Sequence, residues 1–239
     1  RRLAEQGCLE GTLLGQTVNS YGKGLRPACD LGGLLRRVSE VDGIRRIRFI
    51  TSHPSFVRAS LVEALRDLPK VCKYLHIPVQ SGSDRVLKAM RRGYTAARYL
   101  EIVETLRREV PGIELASDFI VGFPGETAED FDRTVEILER VRFQNAFFFK
   151  YSPRPGTDAA ALVDDVPEEE KKRRHQILLD AQDRICLEKN QALVGRRFEV
   201  LVEGPSKRDP LKQTGRTDTH PLVHFEAGRS IGTTCARLR

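Results

Sequence analysis

The sequence predicts an α/β fold with a parallel sheet, followed by a long helix and a small all-β module. Apolar runs of strand length alternate with helical patterns as far as Tyr151. A charged helical pattern begins at Pro167, and short apolar runs separated by Gly, Pro and basic residues occupy the chain after Val194. Alternation of strands with helices indicates a parallel sheet, because neighbouring parallel strands need a crossover connection.

Five strands and five connecting helices are predicted in the alternating part. The strands are short runs rich in β-branched, aromatic and aliphatic residues, at 11–15, 47–51, 74–79, 113–121 and 146–151. The helices repeat apolar residues at helical spacing, and several follow a Ser, Thr or Asp that can cap them. They span 31–41, 57–68, 84–90, 96–109 and 128–140, and residues 1–6 are interpreted as the end of a further helix. About five units are too few for a closed eight-unit barrel.

The C-terminal part is predicted to change architecture twice. Pro167 begins a helix that runs to about Asn190, and three glutamates in its first turn favour the positive end of the helix dipole. Strands are predicted at 198–202 and 222–225. The predicted domains are therefore 1–160, a connecting helix over 161–192, and a small β module over 193–239.

The composition is that of an ordinary soluble globular protein, with 40% hydrophobic and 31% charged residues in a chain of 239. No apolar run approaches the roughly 18 residues of a membrane-spanning helix, so we expect a cytoplasmic protein without a membrane partner. Five dispersed cysteines, none at CxxC or CxxxC spacing, argue against a disulfide framework and a self-contained metal site. The net charge of +7 is compatible with a polyanionic partner.

Polar residues follow several of the predicted strands. Ligands of a parallel sheet bind outside the carboxyl ends of its strands, so Gln16, Gln80 and Ser81 are candidates to bind a polar ligand. After the fourth strand, the amide of Gly122 is predicted to be free to receive a carboxylate or ribose oxygen. Asp118, within a buried strand, needs a partner or a ligand to offset the cost of burial. Tight turns with helix caps are the alternative explanation for these segments.

Three segments together resemble a known enzyme family. They are Leu13 to Gly22 (LLGQTVNSYG), His76 to Asp84 (HIPVQSGSD) and Asp118 to Thr127 (DFIVGFPGET). The chain is similar to the radical S-adenosylmethionine methylthiotransferases over nearly its whole length. The first segment, together with the TSHP run from Thr51 to Pro54, resembles the branch that modifies tRNA. The resemblance implies a partial, TIM-like (β/α)6 barrel whose first strand is missing, followed by an incomplete TRAM-like β-barrel that binds RNA.

S-adenosylmethionine is the cofactor that the resemblance implies. Gln16 and Asn19 would face its methionine part, Gln80 and Ser81 its ribose hydroxyls or carboxylate, and Ser152 the adenine and substrate side. The predicted cofactor-binding residues are Gln16, Asn19, Gln80, Ser81, Asp118, Gly122, Glu126 and Ser152.

A tRNA partner is expected at the C-terminal module and at the mouth of the barrel. Residues 191–239 carry nine lysines and arginines against five acids, and basic loops on a small barrel indicate contact with a nucleic acid backbone. Another basic cluster near the mouth is formed by Lys88, Arg91 and Arg92. His76 lies within a predicted strand and is interpreted as a core histidine. The predicted RNA-binding residues are Arg154, Arg196, Arg197, Lys207, Arg208, Lys212 and Arg216.

The family reaction would add a methylthio group to C2 of N6-isopentenyladenosine at position 37 of tRNA, with S-adenosylmethionine and two 4Fe-4S clusters. The CxxxCxxC triplet that holds the catalytic cluster is expected before Gly15, and this chain contains none. We therefore expect the chain alone to be inactive, and we assign no catalytic or metal-binding residue. A non-catalytic tRNA-binding remnant is the alternative. The residues of the 16–21 and 51–54 segments disfavour a third option, an enzyme of the threonylcarbamoyl-adenosine branch of the family. We expect a monomer, and residues 233–239 are interpreted as an unrelated tail.

Overall fold

The computed structural model describes residues 1–226 and 236–238. Its first part alternates strands and helices as predicted, which confirms the α/β class. Strands β1 to β5 span Glu10–Leu14, Arg46–Ile50, Tyr74–His76, Glu114–Val121 and Asn145–Lys150. Helices α1 to α6 span Arg2–Glu5, Leu31–Ser39, Ala59–Asp67, Asp84–Ala89, Ala96–Glu109 and Ala128–Val141. The predicted elements lie within a few residues of these bounds.

The five strands run parallel and follow one another in chain order. One sheet pairs β1 with β2, and a second has the order β3-β4-β5. Backbone hydrogen bonds connect the two, because Ile47 N donates to Lys70 O at 2.7 Å and Ser52 N donates to His76 O at 3.0 Å. Alternate strand residues face the helices, and the residues between them face the opposite side of the sheets.

The helices cover one side of these strands and form the main core with them. Ile47, Leu75 and Phe119 on the strands belong to the same buried cluster as Leu65 and Leu138 on the helices. Helix α7, Glu168–Gln191, follows Pro167 as predicted and buries Leu178 and Ile185 in that cluster. Among the described residues, no helix is long and apolar enough to cross a membrane.

The C-terminal module is an antiparallel sheet with the strand order β8-β7-β6-β9. Its strands span Phe198–Pro205 (β6), Lys212–Arg216 (β7), Leu222–Glu226 (β8) and Ala236–Leu238 (β9). Val200 and Phe225 are buried between its strands, with Phe198, Val202 and Val223 packed against them. The predicted strands at 198–202 and 222–225 are thus confirmed.

Two strands of this module differ from the sequence-based expectation. β7 was not predicted, because Lys212–Arg216 contains no apolar residue and no alternating pattern. The interpretation of 233–239 as an unrelated tail is wrong for 236–238, since β9 pairs antiparallel with the start of β6. Backbone hydrogen bonds to neighbouring strands, which need no particular side chain, account for both strands. The rest of that interpretation lies outside the described residues.

Two buried arginines of β2 hold the C-terminal module against the side of the parallel strands that faces away from the helices. Arg46 and Arg48 are each only 6% exposed. Arg46 Nη2 donates to Glu199 O at 3.0 Å, and its Nη1 donates to Arg216 O. Arg48 Nη2 donates to Thr217 O at 2.7 Å, while its Nε pairs with Glu10 Oε1 at 3.0 Å. A buried guanidinium without such acceptors would be strongly unfavourable, so these bonds determine where the module docks.

An aromatic contact completes this docking. The ring of His220, in the turn between β7 and β8, stacks on Tyr74 with ring centroids 4.3 Å apart and planes inclined by 14°. Burial and the positive charges of Arg216 and Arg48 lower the pKa of His220 to about 4. Its imidazole is therefore neutral near pH 7 and adds no positive charge beside Arg48.

Replacing Arg48 with Met should release the C-terminal sheet from the parallel strands. The change leaves the carbonyls of Thr217 and Asp218 without their charged donor, which costs about 3 kcal/mol. Hydrogen–deuterium exchange followed by mass spectrometry should show lost protection in β6 to β8 and unchanged protection in β4. Arg45→Met, at the exposed neighbouring position, is the control. Equal protection in the Arg48 variant and the unmodified chain would contradict this account of docking.

Candidate functional site

A cavity of about 830 Å³ opens at the carboxyl ends of β3, β4 and β5. Its wall combines polar, basic and apolar side chains, as expected of a site for a small molecule with both charged and aromatic parts. The residues considered below are Gln80, Asp118 and Ser152, with Arg91, Arg92 and Arg154, and Ile120, Phe149 and Tyr151.

Asp118 places a carboxylate in the wall of this cavity. His76 Nε2 donates to Asp118 Oδ1 at 2.9 Å, and the Asp118 side chain remains 24% exposed. His76 is buried, as the sequence predicts, but its Nδ1 has no hydrogen-bond partner among the described residues. The pairing gives Asp118 the partner that its strand position requires and leaves one side of its carboxylate open to a ligand.

Gln80 lies beside Asp118 in an unusual backbone conformation. Its φ is +72°, in the left-handed region that a residue with a side chain rarely adopts. Two hydrogen bonds to β4 hold it there, since Gln80 N donates to Asp118 O and Ile120 N donates to Gln80 O, each at 2.9 Å. The Gln80 side chain lines the cavity. Backbone bonding rather than local preference thus brings this amide next to the carboxylate.

Ser81 does not face the cavity. It is fully buried, and its Oγ lies 3.3 Å from Thr134 Oγ1 and accepts from Ser83 N at 3.2 Å. The following Gly82 approaches helix α6 so closely that a Cβ there would lie 2.1 Å from Arg133 O. Ser81 and Gly82 therefore pack the loop onto α6. Gln80 is the residue of the QSGS run that lines the cavity.

Gly122 and Glu126 also have structural partners. Gly122 N, predicted to be free for a ligand, donates to Glu126 Oε2 at 2.6 Å, and Arg174 Nη1 donates to the same oxygen at 2.7 Å. Burial raises the pKa of Glu126, although the bonds from Gly122 and Arg174 oppose that shift. Gly122 has φ +71°, and a Cβ there would lie 2.3 Å from Lys171 Cγ. These residues join the turn after β4 to α7 and do not line the cavity.

Two further predicted cofactor residues, Gln16 and Asn19, lie in the loop after β1 and do not line the cavity. Gln16 is exposed and is not part of the cavity wall. Asn19 is buried and clamps the backbone of His53, because its Nδ2 donates to His53 O and its Oδ1 accepts from His53 N, each at 2.9 Å. The NSY and TSHP segments are therefore in contact, which neither segment indicates by itself.

A network of hydrogen bonds around Asp130 fixes the loop that carries Gln80. Ser83 Oγ donates to Asp130 Oδ1 at 2.5 Å, and Thr127 N and Arg85 Nη2 donate to Oδ2. Burial opposes ionisation of Asp130, but the bonds from Ser83, Arg85 and Thr127 outweigh it and lower the pKa of this carboxyl well below its usual range. Asp130 was not predicted. The Thr127-x-x-Asp130 spacing of a capping box was the signal available in the sequence.

The predicted RNA-binding residues are divided between two places. Arg154 lines the cavity. Lys212 and Arg216 are only half-exposed and pair with Asp209 at 3.3 Å and Glu203 at 3.0 Å, respectively. The others, all exposed and lying just before or just after β6, are Arg196, Arg197, Lys207 and Arg208.

Asp130→Asn should destabilise the protein at neutral pH by about 2 kcal/mol, because hydrogen bonds to a charged acceptor are lost or weakened. A carboxyl whose pKa is lowered on folding stabilises the native state when ionised, and that contribution disappears as the pH falls through its folded-state pKa. The difference between the two proteins in urea unfolding should therefore shrink below the ordinary Asp pKa of 3.8. Asp132→Asn, exposed on the same helix, is the control. A pH-independent difference would rule out the charge as its cause.

Comparison with known proteins supports a family assignment. The model of the radical SAM superfamily matches residues 1–138. A tRNA-2-methylthio-N(6)-dimethylallyladenosine synthase from Moorella thermoacetica is 51% identical over all of this chain and 54% of its own length. The protein of the same name from Rhodopirellula baltica is 54% identical over 96% of this chain and 50% of its own length. The chain thus spans about half the length of the curated relatives it matches.

Two solved structures show the same fold at low sequence identity. The radical S-adenosylmethionine methyltransferase TsrM from Kitasatospora setae matches with a TM-score of 0.53 and 19% identity, covering 66% of this chain and 31% of TsrM. Coproporphyrinogen III oxidase (HemN) from Escherichia coli matches with a TM-score of 0.52 and 12% identity, covering 77% of this chain and 50% of HemN.

Proposed function

Because this chain belongs to the radical S-adenosylmethionine superfamily, we propose that it is part of a tRNA methylthiotransferase. The reaction would add a methylthio group to C2 of N6-isopentenyladenosine at position 37 of tRNA, and the protein would act as a cytoplasmic monomer. The observation that carries the proposal is the cavity at the strand ends, where Gln80 and Asp118 meet three arginines. The names of the relatives that are about half identical to this chain support the choice of reaction.

The proposed architecture is a partial (β/α)6 barrel followed by a TRAM-like module. Residues 1–160 would form the barrel without its first strand, 161–192 the connecting helix, and 193–239 the RNA-binding module. Five parallel strands in chain order with helices on one side support the first assignment. A small antiparallel sheet with exposed basic residues supports the last.

The cavity residues suit S-adenosylmethionine. The Asp118 carboxylate can accept from its ammonium group or ribose hydroxyls, while the Gln80 amide and Ser152 hydroxyl can both donate and accept. Ile120 and Phe149 provide an apolar wall for an adenine ring. When bound, the cofactor would supply the radical chemistry and the methyl group. The chain's own residues would orient it and exclude water from that wall.

The described residues do not suit an iron–sulfur cluster. Among them, no three His, Cys, Asp or Glu side chains come together as a metal site requires. Burial raises the pKa of the Cys72 thiol to about 11, so it is a poor source of the thiolate that iron needs. The proposal therefore assigns no cluster ligand to the described part of the chain.

A non-catalytic tRNA-binding protein is the second candidate. Arg196, Arg197, Lys207 and Arg208 are exposed on the C-terminal module, and phosphate contacts of this kind do not require the cavity. Binding of tRNA without binding of S-adenosylmethionine would favour this candidate over the enzyme.

Asp118→Asn and Gln80→Asn should each weaken binding of S-adenosylmethionine about tenfold, because the first removes the charge of one polar contact and the second shortens the side chain that makes another. Asn tolerates the positive φ at position 80, so that variant tests the side chain rather than the backbone. Isothermal titration calorimetry with the purified chain measures the effect, with Asp132→Asn as the control. Unchanged affinity in both cavity variants would place the cofactor elsewhere.

Lys207→Gln and Arg208→Gln should weaken tRNA binding, and each should reduce the slope of log affinity against log salt by about one, as expected for one lost phosphate contact. Filter binding over a range of salt concentrations measures both quantities. Arg98→Gln, which removes an exposed positive charge on α5 in the barrel, is the matched control. Equal slopes in all four proteins would remove the C-terminal module from the RNA-binding surface.

A further inference from the structure

Three aromatic side chains cluster beside the cavity and have no part in the proposed cofactor site. The His53 ring lies between Phe56, at a centroid distance of 5.5 Å, and Tyr94, at 5.4 Å in an edge-on arrangement. Phe56 is 38% exposed. An aromatic ring that is partly exposed and supported from behind is a surface on which a planar ligand group can stack.

The cluster is held rigidly by the two loops that carry it. Asn19 bonds both backbone groups of His53, and Tyr94 Oη is placed to donate to the carbonyls of Pro78 and Val79 at 3.2 and 3.1 Å. His53 Nδ1 accepts from Ser55 N at 3.2 Å, so Nε2 carries the ring proton. Burial and the positive charge of Arg92 lower the pKa of His53, so the ring is neutral and does not repel that arginine near pH 7. A surface fixed in this way needs little ordering when it binds.

Arg92 connects this cluster to the cavity. It lines the cavity wall, and its charge is close enough to His53 to affect that ring. Arg91, also in the wall, is paired with Asp158. Arg92 Nε, in contrast, is buried and has no hydrogen-bond partner among the described residues. Arg92 also has no carboxylate partner among the described residues, so a phosphate in the cavity that Arg92 lines would be attracted to its charge.

A stacking surface beside an arginine that has no carboxylate partner among the described residues matches the two parts of a nucleotide. The base offers a planar face and the phosphate offers a doubly accepting anion that suits a guanidinium. On the basis of the proposed tRNA substrate, we propose that the target adenosine enters the cavity beside the cofactor and that His53, Phe56, Tyr94 and Arg92 bind the nucleotide next to it. Its base stacks on Phe56, and its phosphate accepts from Arg92.

This arrangement gives the TSHP segment and Arg92 a specific role in recognition. The nucleotide in the cavity and its neighbour share one phosphate, so an arginine at the boundary between the two sites can hold the strand in register. Stacking tolerates any base, whereas the phosphate contact fixes spacing. These four residues, which form the rim site, therefore position single-stranded RNA. Discrimination of the target base is left to the cavity.

The test uses the 239-residue chain and an anticodon stem-loop RNA with 2-aminopurine on either side of the target adenosine. Stacking of 2-aminopurine on Phe56 should change its fluorescence on binding, at one of the two flanking positions only. Phe56→Leu should abolish that change and weaken binding about tenfold without altering the salt slope. Arg92→Gln should weaken binding to a similar extent and lower the slope by about one, and Arg92→Lys should restore part of both.

The controls separate this inference from the function on which it rests. Arg98→Gln should leave fluorescence and affinity unchanged, and Lys207→Gln should weaken binding while the fluorescence of the bound RNA stays the same. Normal affinity and fluorescence in both Phe56→Leu and Arg92→Gln, with correct folding shown by circular dichroism, would overturn the rim site alone. Failure of the unmodified chain to bind the stem-loop at all would overturn the proposed function and the rim site together.

Discussion

The backbone hydrogen bonds between Gln80 and β4 are the constraint on which the candidate site depends. They hold Gln80 in a left-handed conformation beside Asp118 and turn its side chain into the cavity. The same turn directs Ser81 and Gly82 onto α6, where Thr134 and the missing Cβ of Gly82 allow close packing. A loop that lost these bonds would keep its sequence but would no longer present an amide next to a carboxylate.

Buried charges organise the elements around that site. Glu126 and Arg174 join the turn after β4 to α7, Asp130 joins Ser83 and Arg85 to α6, and Arg46 with Arg48 holds the C-terminal sheet by its carbonyls. Each of these groups would be strongly unfavourable without its partner, and this cost makes the arrangement specific. Glu126 and Thr127 of the DFIVGFPGET segment therefore have partners within the protein, and Asp118 is the charged residue of this segment that lines the cavity.

The alternating part of the fold could be predicted because its strands are short apolar runs, whereas its helices repeat apolar residues at helical spacing. Helix α5 was predicted to the residue, since Thr95 caps it and Tyr99, Ile102, Val103 and Leu106 repeat on one face. β7 and β9 could not be predicted in this way, because Lys212–Arg216 and Ala236–Leu238 are strands through hydrogen bonds to neighbouring strands, β6 and β8 for β7 and β6 for β9. The buried role of Arg46 and Arg48 was equally hidden, since arginine in a strand normally indicates an exposed face.

By itself, the sequence determined the class of fold, the order of its elements and the resemblance of its motifs, since all three depend on residues near one another in the chain. Only the tertiary structure decided which motif residues share a cavity. It brought Gln80, Asp118, Ser152 and Arg154 together and gave Asn19, Ser81, Gly122 and Glu126 partners within the protein. The physical reason is that a polar side chain at a strand end can meet either a ligand or another part of the chain. Contacts between residues far apart in sequence make that choice.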